Sequence, residues 1–244
     1  YRSDSREING EFLYNTTDMT VDKNNNIWLT DHSAVKSIIT VFNDSQSRSI
    51  TKENSANILK DGSSSIAIDN FNRVWVGMPN SLAMYSYSID PFQPSAESWI
   101  EEPIYFQFDR QPLDINISEK NRLWILTNYG LMYKDLRVSG SDPVTVTGPK
   151  KPNGDLSPYL TNIPFNEYSK IKFDPRGNIW ISTQNNGIFI LDENGSFWPS
   201  PDGLNTSNSN LLSNDINDID FDPDKGIAYI ATSKGVTSLK IPFS

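Results

Sequence analysis

The sequence predicts an all-β fold, and within that class a β-propeller built from four-stranded blades. Two observations support this prediction. A short segment of shared pattern recurs five times, about every 50 residues, and four of the five copies place a tryptophan at the same position. This period is typical of propeller blades, whereas helical repeats would show a 3.6-residue period. The anchor residues are separated by 47, 49, 56 and 49 residues and are Trp28, Trp75, Trp124, Trp180 and Tyr229.

Each repeat begins with a short strand and a tight polar turn. In the fourth repeat, the apolar–polar–apolar segment Ile171–Phe173 is followed by a turn that contains Asp174 and Gly177. Asp, Asn and Gly tolerate positive φ or hydrogen-bond their own backbone, as a hairpin turn requires. The same reasoning applies to Asp22–Asn26, which has the look of a calcium loop but lacks the Gly and Glu that complete one. We interpret that segment as a turn.

The second strand of each repeat carries the anchor, with aliphatic residues on both sides of it, such as Ile179 and Ile181 around Trp180. Because successive side chains of a strand point to opposite faces, this pattern indicates burial on both faces. Stacked blades provide that burial, and a two-sheet sandwich does not. Third strands are predicted at Leu82–Tyr85, Gly130–Tyr133, Gly187–Leu191 and Gly235–Leu239, and outer strands at Ile104–Phe108 and Val144–Thr147.

The repeats predict a single propeller domain over residues 1–244 with five recognisable blades. The segment Gly10–Tyr14 resembles an outermost strand, and the last blade lacks one. Either the N-terminal strand completes the last blade of a closed five-bladed ring, or the blades belong to a larger, seven-bladed ring. The 56-residue step contains a loop insertion rich in Gly and Pro. We expect the chain to be a piece of a longer protein with further fused domains.

Composition argues against several functions. The net charge of −9 and the pI of about 4.6 disfavour nucleic acid as a partner. No apolar run is long enough for a membrane helix, so membrane insertion is not expected. There is no Cys and only one His, His32, which removes most acid–base and metal chemistry. We therefore expect no catalytic residues, no bound metal and no cofactor.

The repeats resemble a known family. Asp174–Ile188 is similar to the repeat of the two-component-regulator propellers, in which Asp-x-x-Gly precedes an Ile-Trp-Ile strand and a Gly-Leu strand. The last repeat, from Leu211–Asp215 to Tyr229–Val236, resembles the final blade of secreted Bacteroidota-type propellers, including the PorZ-like propellers of the type IX secretion system. Met78-Pro79, Thr30-Asp31 and Tyr229 depart from the repeat.

This resemblance implies an extracytoplasmic protein, periplasmic or at the cell surface or secreted. It also implies a non-catalytic interaction or scaffold module that binds a protein partner or a glycan. A periplasmic sensor propeller of a hybrid two-component regulator, binding an oligosaccharide, is the alternative within the same family. The repeat motif of this family identifies a blade but does not indicate which ligand is bound.

Candidate ligand- or partner-binding residues lie in the loops between the second and third strands. Rigid blades present such loops on one face, where amides and single Tyr, His and Lys residues suit a sugar or a protein. Soluble turns without a ligand would have the same composition, so both interpretations stay open. The candidates are Asp31, His32, Asn80, Asn128, Tyr129, Gln184, Asn185 and Lys234.

A metal-dependent propeller hydrolase or lactonase is the alternative from a different class. Carboxylates and amides near the starts of the inner strands could hold a divalent ion. These residues are Asp18, Asp114, Glu167, Asn217 and Asp218.

Overall fold

The computed structural model describes residues 6–8, 11–13, 16–31, 38–103, 112–136 and 148–241. In these ranges every regular element is a β-strand. A two-stranded hairpin, β1 (Arg6–Ile8) and β2 (Glu11–Leu13), precedes the repeats. The segment Gly10–Tyr14 therefore contains the strand that the sequence predicts. This strand pairs with β1.

Five antiparallel sheets follow, one for each repeat. The first is β3 (Thr16–Val21), β4 (Ile27–Asp31), β5 (Ile39–Phe42) and β6 (Ser47–Ile50). The second is β7 (Ser65–Ile68), β8 (Val74–Met78), β9 (Ser81–Tyr87) and β10 (Glu97–Pro103). The third is β11 (Pro112–Ile117), β12 (Arg122–Thr127) and β13 (Gly130–Asp135). The fourth is β14 (Lys170–Phe173), β15 (Ile179–Ser182), β16 (Ile188–Leu191) and β17 (Phe197–Trp198). The fifth is β18 (Ile216–Asp222), β19 (Ile227–Thr232) and β20 (Gly235–Lys240).

These up-and-down sheets are the blades of a β-propeller, which confirms the predicted fold class. Three blades have four strands, and the third and fifth have three strands within the described residues. The outer strand of the second blade is β10, which lies before the predicted segment Ile104–Phe108. That segment and Val144–Thr147 lie outside the described residues. The outer strand of the second blade therefore follows β9 after a loop of residues 88–96.

A buried aspartate forms the turn between the first and second strands of the fourth blade. Asp174 Oδ1 accepts hydrogen bonds from the backbone N–H groups of Arg176 and Asn178, both at 2.9 Å. Asp174 Oδ2 accepts from Asn178 Nδ2 at 2.8 Å and from Trp180 Nε1 at 3.0 Å. One carboxylate thus closes the hairpin turn and fixes the indole of the anchor in the next strand. Asp22 and Asp69 have the same role in the first two blades.

The chain divides into two compact units. Unit 1 comprises residues 1–125 and 133–147, and unit 2 comprises residues 126–132 and 148–244. The prediction of one propeller domain over 1–244 stays a prediction. Each unit has its own apolar core, made by the faces of successive blades: Trp28, Ile39, Val74 and Tyr85 belong to the core of unit 1, and Trp180, Ile190, Ile219 and Ile230 to that of unit 2.

Trp28 and Trp180 each face the following blade of the same unit. In unit 1, the Trp28 ring lies 5.6 Å from that of Tyr87 in the second blade, and in unit 2 Trp180 meets Phe221 of the fifth blade edge-on at 5.2 Å. All four tryptophan anchors are fully buried. Tyr229 has the same place in the repeat, but it is 40% exposed. The fifth blade covers the fourth with its Ile219 face, and Tyr229 lies on the opposite face.

Candidate functional site

The loops between the second and third strands in unit 2 are closed by a threonine hydroxyl. Thr127 and Thr232 end the second strands of the third and fifth blades, and Thr183 directly follows the second strand of the fourth. Each donates its hydroxyl to a glycine carbonyl three or four residues on, at 3.0, 2.8 and 2.8 Å. Each also accepts a backbone N–H from within the loop, at 3.2, 2.9 and 3.2 Å. The loop backbones are therefore held in place without using the side chains at their tips.

Glycine is required where the loop of the fourth blade returns to its sheet. Gly187 has a φ of +78°, and a Cβ at this position would collide with the carbonyl oxygen of Leu204. Its own N–H donates to the Asn214 carbonyl at 2.9 Å. Because Asn214 lies just before β18, this bond joins the loop of the fourth blade to the entry of the fifth.

Further hydrogen bonds make one continuous surface at this end of unit 2. The Ile216 N–H donates to the Thr183 carbonyl at 2.9 Å, and Ser233 Oγ donates to Ser213 Oγ at 3.0 Å. The loops of the fourth and fifth blades are therefore fixed to one another. We call this surface the loop face of unit 2, and we define it by Tyr168, Gln184, Asn185, Leu212 and Lys234.

The predicted residues of unit 2 are all at loop tips. Gln184 Oε1 accepts from Asn166 Nδ2 at 2.8 Å, so one end of this amide is already engaged. Asn128, Asn185 and Lys234 are exposed, and no side-chain hydrogen bond or ion pair engages them within the described residues. Tyr129 is 43% exposed beside Asn128, in the turn of the third blade. Fixed backbones thus present polar side chains to solvent.

The predicted residues of unit 1 differ in accessibility. Asp31 ends β4 and is only 6% exposed, because its N–H extends the sheet by donating to the Ile38 carbonyl at 3.0 Å. It is therefore not on an accessible loop. Asn80 is exposed, and its φ of +62° identifies it as a turn former. His32 lies outside the described residues.

Two features of the surface have no clear signal in the sequence. Tyr168 is 57% exposed and Leu212 is 46% exposed, both just before inner strands of unit 2.

In unit 1, a surface cleft of about 360 Å³ lies between the turn at Asn24 and Asn25 and the turn at Asn43 and Asp44, with Phe42 in its wall. The cleft is at the opposite end of the first blade from Asp31. From the sequence alone, the residues that line this cleft cannot be distinguished from those of the other polar turns.

The candidate metal ligands differ in their surroundings within each unit. Asp18 Oδ2 accepts the Ile66 N–H at 2.9 Å, so this carboxylate joins the first two inner strands. Asp114 is buried, Glu167 and Asn217 are exposed, and Asp218 forms an ion pair with Lys172 at 3.2 Å. Among the residues that the structure describes, no three His, Cys, Asp or Glu side chains are grouped as a metal site would require.

Unit 1 contains a partly exposed ionic network around the buried Tyr85, at the outer edge of the second blade. Arg48 Nη1 donates to the Tyr85 hydroxyl at 2.8 Å, and Arg48 Nη2 donates to Glu97 Oε2 at 2.9 Å. Tyr85 itself donates to the same carboxylate oxygen at 2.8 Å. Burial, with the Glu97 hydrogen bond, raises the pKa of the Tyr85 phenol far above its usual value. The phenol therefore stays protonated at physiological pH, where it holds β6, β9 and β10 together.

The fold and its turns place this chain among the β-propellers. Neither a family model nor a curated protein matches the sequence. Solved propellers do match in structure. PorZ, a surface component of the type IX secretion system of Porphyromonas gingivalis, matches 92% of the chain with a TM-score of 0.71 and 18% identity. The extracellular domain of a hybrid two-component system from B. thetaiotaomicron matches 93% with a TM-score of 0.60 and 19% identity. The predicted resemblance to these propellers is thus confirmed at the level of the fold.

A lyase also has this fold. Virginiamycin B lyase from Staphylococcus aureus matches 93% of the chain with a TM-score of 0.56 and 15% identity. The chain spans 32% of the PorZ chain, 27% of the two-component domain and 70% of the lyase. No helix in the described ranges is long and apolar enough to cross a membrane.

Proposed function

We propose that this protein is a non-catalytic, extracytoplasmic binding propeller, and that the loop face of unit 2 holds an oligosaccharide. The observation that carries the proposal is the contrast between backbone and side chains on that face. Threonine hydroxyls and inter-blade hydrogen bonds fix the backbones, while Asn185 and Lys234 have no intramolecular partner in the described part of the chain. Polar side chains held on rigid supports suit a ligand, because little conformational entropy is lost on binding.

The chemistry of the face favours a sugar. Asn185 supplies an amide donor and acceptor, Gln184 has its amide nitrogen available, and Lys234 is a cationic donor. Tyr168, at 57% exposure, offers an aromatic surface to the C–H face of a sugar ring. A nucleic-acid ligand is disfavoured by the net charge of −9.

The solved structures of this fold support an extracytoplasmic setting. PorZ is a bacterial surface component, and the two-component domain is extracellular. An auxiliary nutrient-binding protein from Bacteroides ovatus matches 92% of the chain with a TM-score of 0.61 and 10% identity. We therefore place this protein in the periplasm or at the cell surface. A docking scaffold for a protein, as in a secretion system, and a sensor of oligosaccharide are the two more specific roles within the proposal.

The experiment is a calorimetric titration of the purified chain with a panel of oligosaccharides, including lipopolysaccharide fragments. We expect saturable binding that the double variant Asn185→Ala/Lys234→Ala abolishes without a change in Tm. The matched control is Asn24→Ala/Asp44→Ala, which alters the cleft at the other end of the first blade. Loss of binding in the control alone would move the ligand to the cleft. Absence of binding by every glycan would contradict the sugar proposal and would favour a protein partner.

Similarity to the lyase favours an enzyme as the second candidate. A histidine-to-alanine variant of that lyase is catalytically inactive. In this chain the one histidine is His32. Turnover of a lactone or of virginiamycin B, lost in His32→Ala or on chelation of divalent metals, would replace the binding proposal. We expect no turnover above background.

A further inference from the structure

The buried aspartates of the first, second and fourth blades have one geometry. A carboxylate oxygen accepts the indole N–H of the anchor six residues later, at 3.1 Å for Trp28, 3.0 Å for Trp75 and 3.0 Å for Trp180. In the second blade the same oxygen also accepts Arg73 Nε, four residues after Asp69. Each of these three blades therefore has a negative charge fixed between the turn and the indole.

The third blade has a serine in place of the aspartate. Ser118 stands six residues before Trp124, and both are buried. Within the described residues, Ser118 Oγ, Asn121 Nδ2 and Trp124 Nε1 are buried and have no hydrogen-bond partner. Asn121 Oδ1 accepts the Asn70 N–H at 3.0 Å, so its amide nitrogen is directed away from that contact. The turn and the anchor of this blade thus hold three buried polar atoms without a partner, where the other blades have a carboxylate.

The donor set suits an anion. An indole N–H and an amide NH₂ can only donate, and a serine hydroxyl can also donate. Serine is shorter than aspartate by a carboxylate carbon, so it does not reach the indole as Asp69 does.

A positive charge stands beside the site. Arg122 occupies the position of Arg73 in the repeat, and each guanidinium carbon lies 5.7 Å from the centroid of its anchor indole. Arg73 is the side chain that bonds the Asp69 carboxylate. Arg122 Nε donates to Asp135 at 2.6 Å, but this carboxylate is 46% exposed and its charge is screened by water. The field at the indole therefore favours a negative ion.

We infer that the third blade binds one small monovalent anion, of the chloride type, between Ser118, Asn121 and Trp124. The anion takes the place of the aspartate carboxylate and accepts hydrogen bonds from the three side chains. This site is separate from the loop face of unit 2 and does not depend on the proposed function. It makes the stability of the protein depend on the halide in the medium.

The test is thermal unfolding of the full chain in sodium chloride and in sodium gluconate at equal ionic strength. We expect a Tm several degrees higher in chloride, rising to a plateau as chloride replaces gluconate. The variant Ser118→Asp restores the carboxylate, so its Tm should be equal in the two salts. General salt effects on the surface act on both proteins and cancel in this comparison.

Three results would overturn the inference. One is an equal Tm of the unmodified chain in chloride and gluconate, which would mean that water satisfies the buried donors. Another is a chloride effect of the same size in Ser118→Asp, which would place the ion elsewhere. The third result concerns the unmodified chain. In bromide-soaked crystals we expect an anomalous peak within hydrogen-bond distance of Trp124 Nε1, and the absence of this peak would contradict the site.

Discussion

Removal of the buried aspartate in the fourth blade should destabilise the protein strongly. In Asp174→Ala, the indole N–H of the fully buried Trp180 loses its acceptor, and a buried unsatisfied donor costs about 1–3 kcal/mol. The backbone N–H groups of Arg176 and Asn178 and the Asn178 amide lose a charged acceptor, although water can reach them because these two residues are not buried. We expect a total loss of about 3–5 kcal/mol, or about 6–20 °C in Tm for a chain of this length.

The assay is thermal unfolding followed by circular dichroism and by tryptophan fluorescence. Asp202→Ala is the matched control, since Asp202 is exposed and its carboxylate makes no hydrogen bond within the described residues. The control should stay within about 0.5 kcal/mol of the parent protein. If both variants melted at the same temperature as the parent, the carboxylate would not hold the anchor, and the account of the turn given above would be wrong.

Three further predictions concern stability. Trp180→Ala should cost about 3–5 kcal/mol and Tyr229→Ala about 1 kcal/mol or less, since only the first is buried; equal losses in urea unfolding would contradict this difference. Gly187→Ala should lower Tm more than Gly177→Ala. Both glycines have positive φ, but an added Cβ collides with backbone atoms only at Gly187, so an equal loss of Tm in the two variants would argue against that clash. Burial raises the pKa of the Asp22 carboxyl, but hydrogen bonds from Asn26 and Trp28 outweigh it and lower the pKa below its usual value. The negative charge of Asp22 therefore stabilises the fold above about pH 4, and this stabilisation is lost as the pH falls further. Between pH 5 and pH 3, the Tm of Asp22→Asn should fall less than that of the parent protein.

The loop face shows how far site prediction could go. The repeat alone indicated that Asn185 and Lys234 lie at loop tips, because Thr183 and Thr232 precede them at a fixed place in the frame. It could not indicate that Gln184 is partly engaged, since its partner, Asn166, comes from a separate loop. Nor could it show that Asp31 belongs to a strand, because this depends on pairing with Ile38.

The sequence by itself determined the blades. The signals that predict a blade lie within a few residues of one another: alternating apolar residues, an Asp- and Asn-rich turn and an aromatic anchor. These signals occur in each of the five repeats. The buried hairpin around Trp180 forms from contacts between neighbours in the chain, so its pattern could be recognised from one sequence.

Only the tertiary structure decided which face of each blade is covered. Trp180 is buried because the fifth blade supplies Phe221, whereas Tyr229 has the same place in the repeat and is 40% exposed. The three unpaired atoms around Ser118 became visible for the same reason. Burial and hydrogen-bond partners depend on contacts between residues far apart in the chain, and the pattern within one repeat does not contain them.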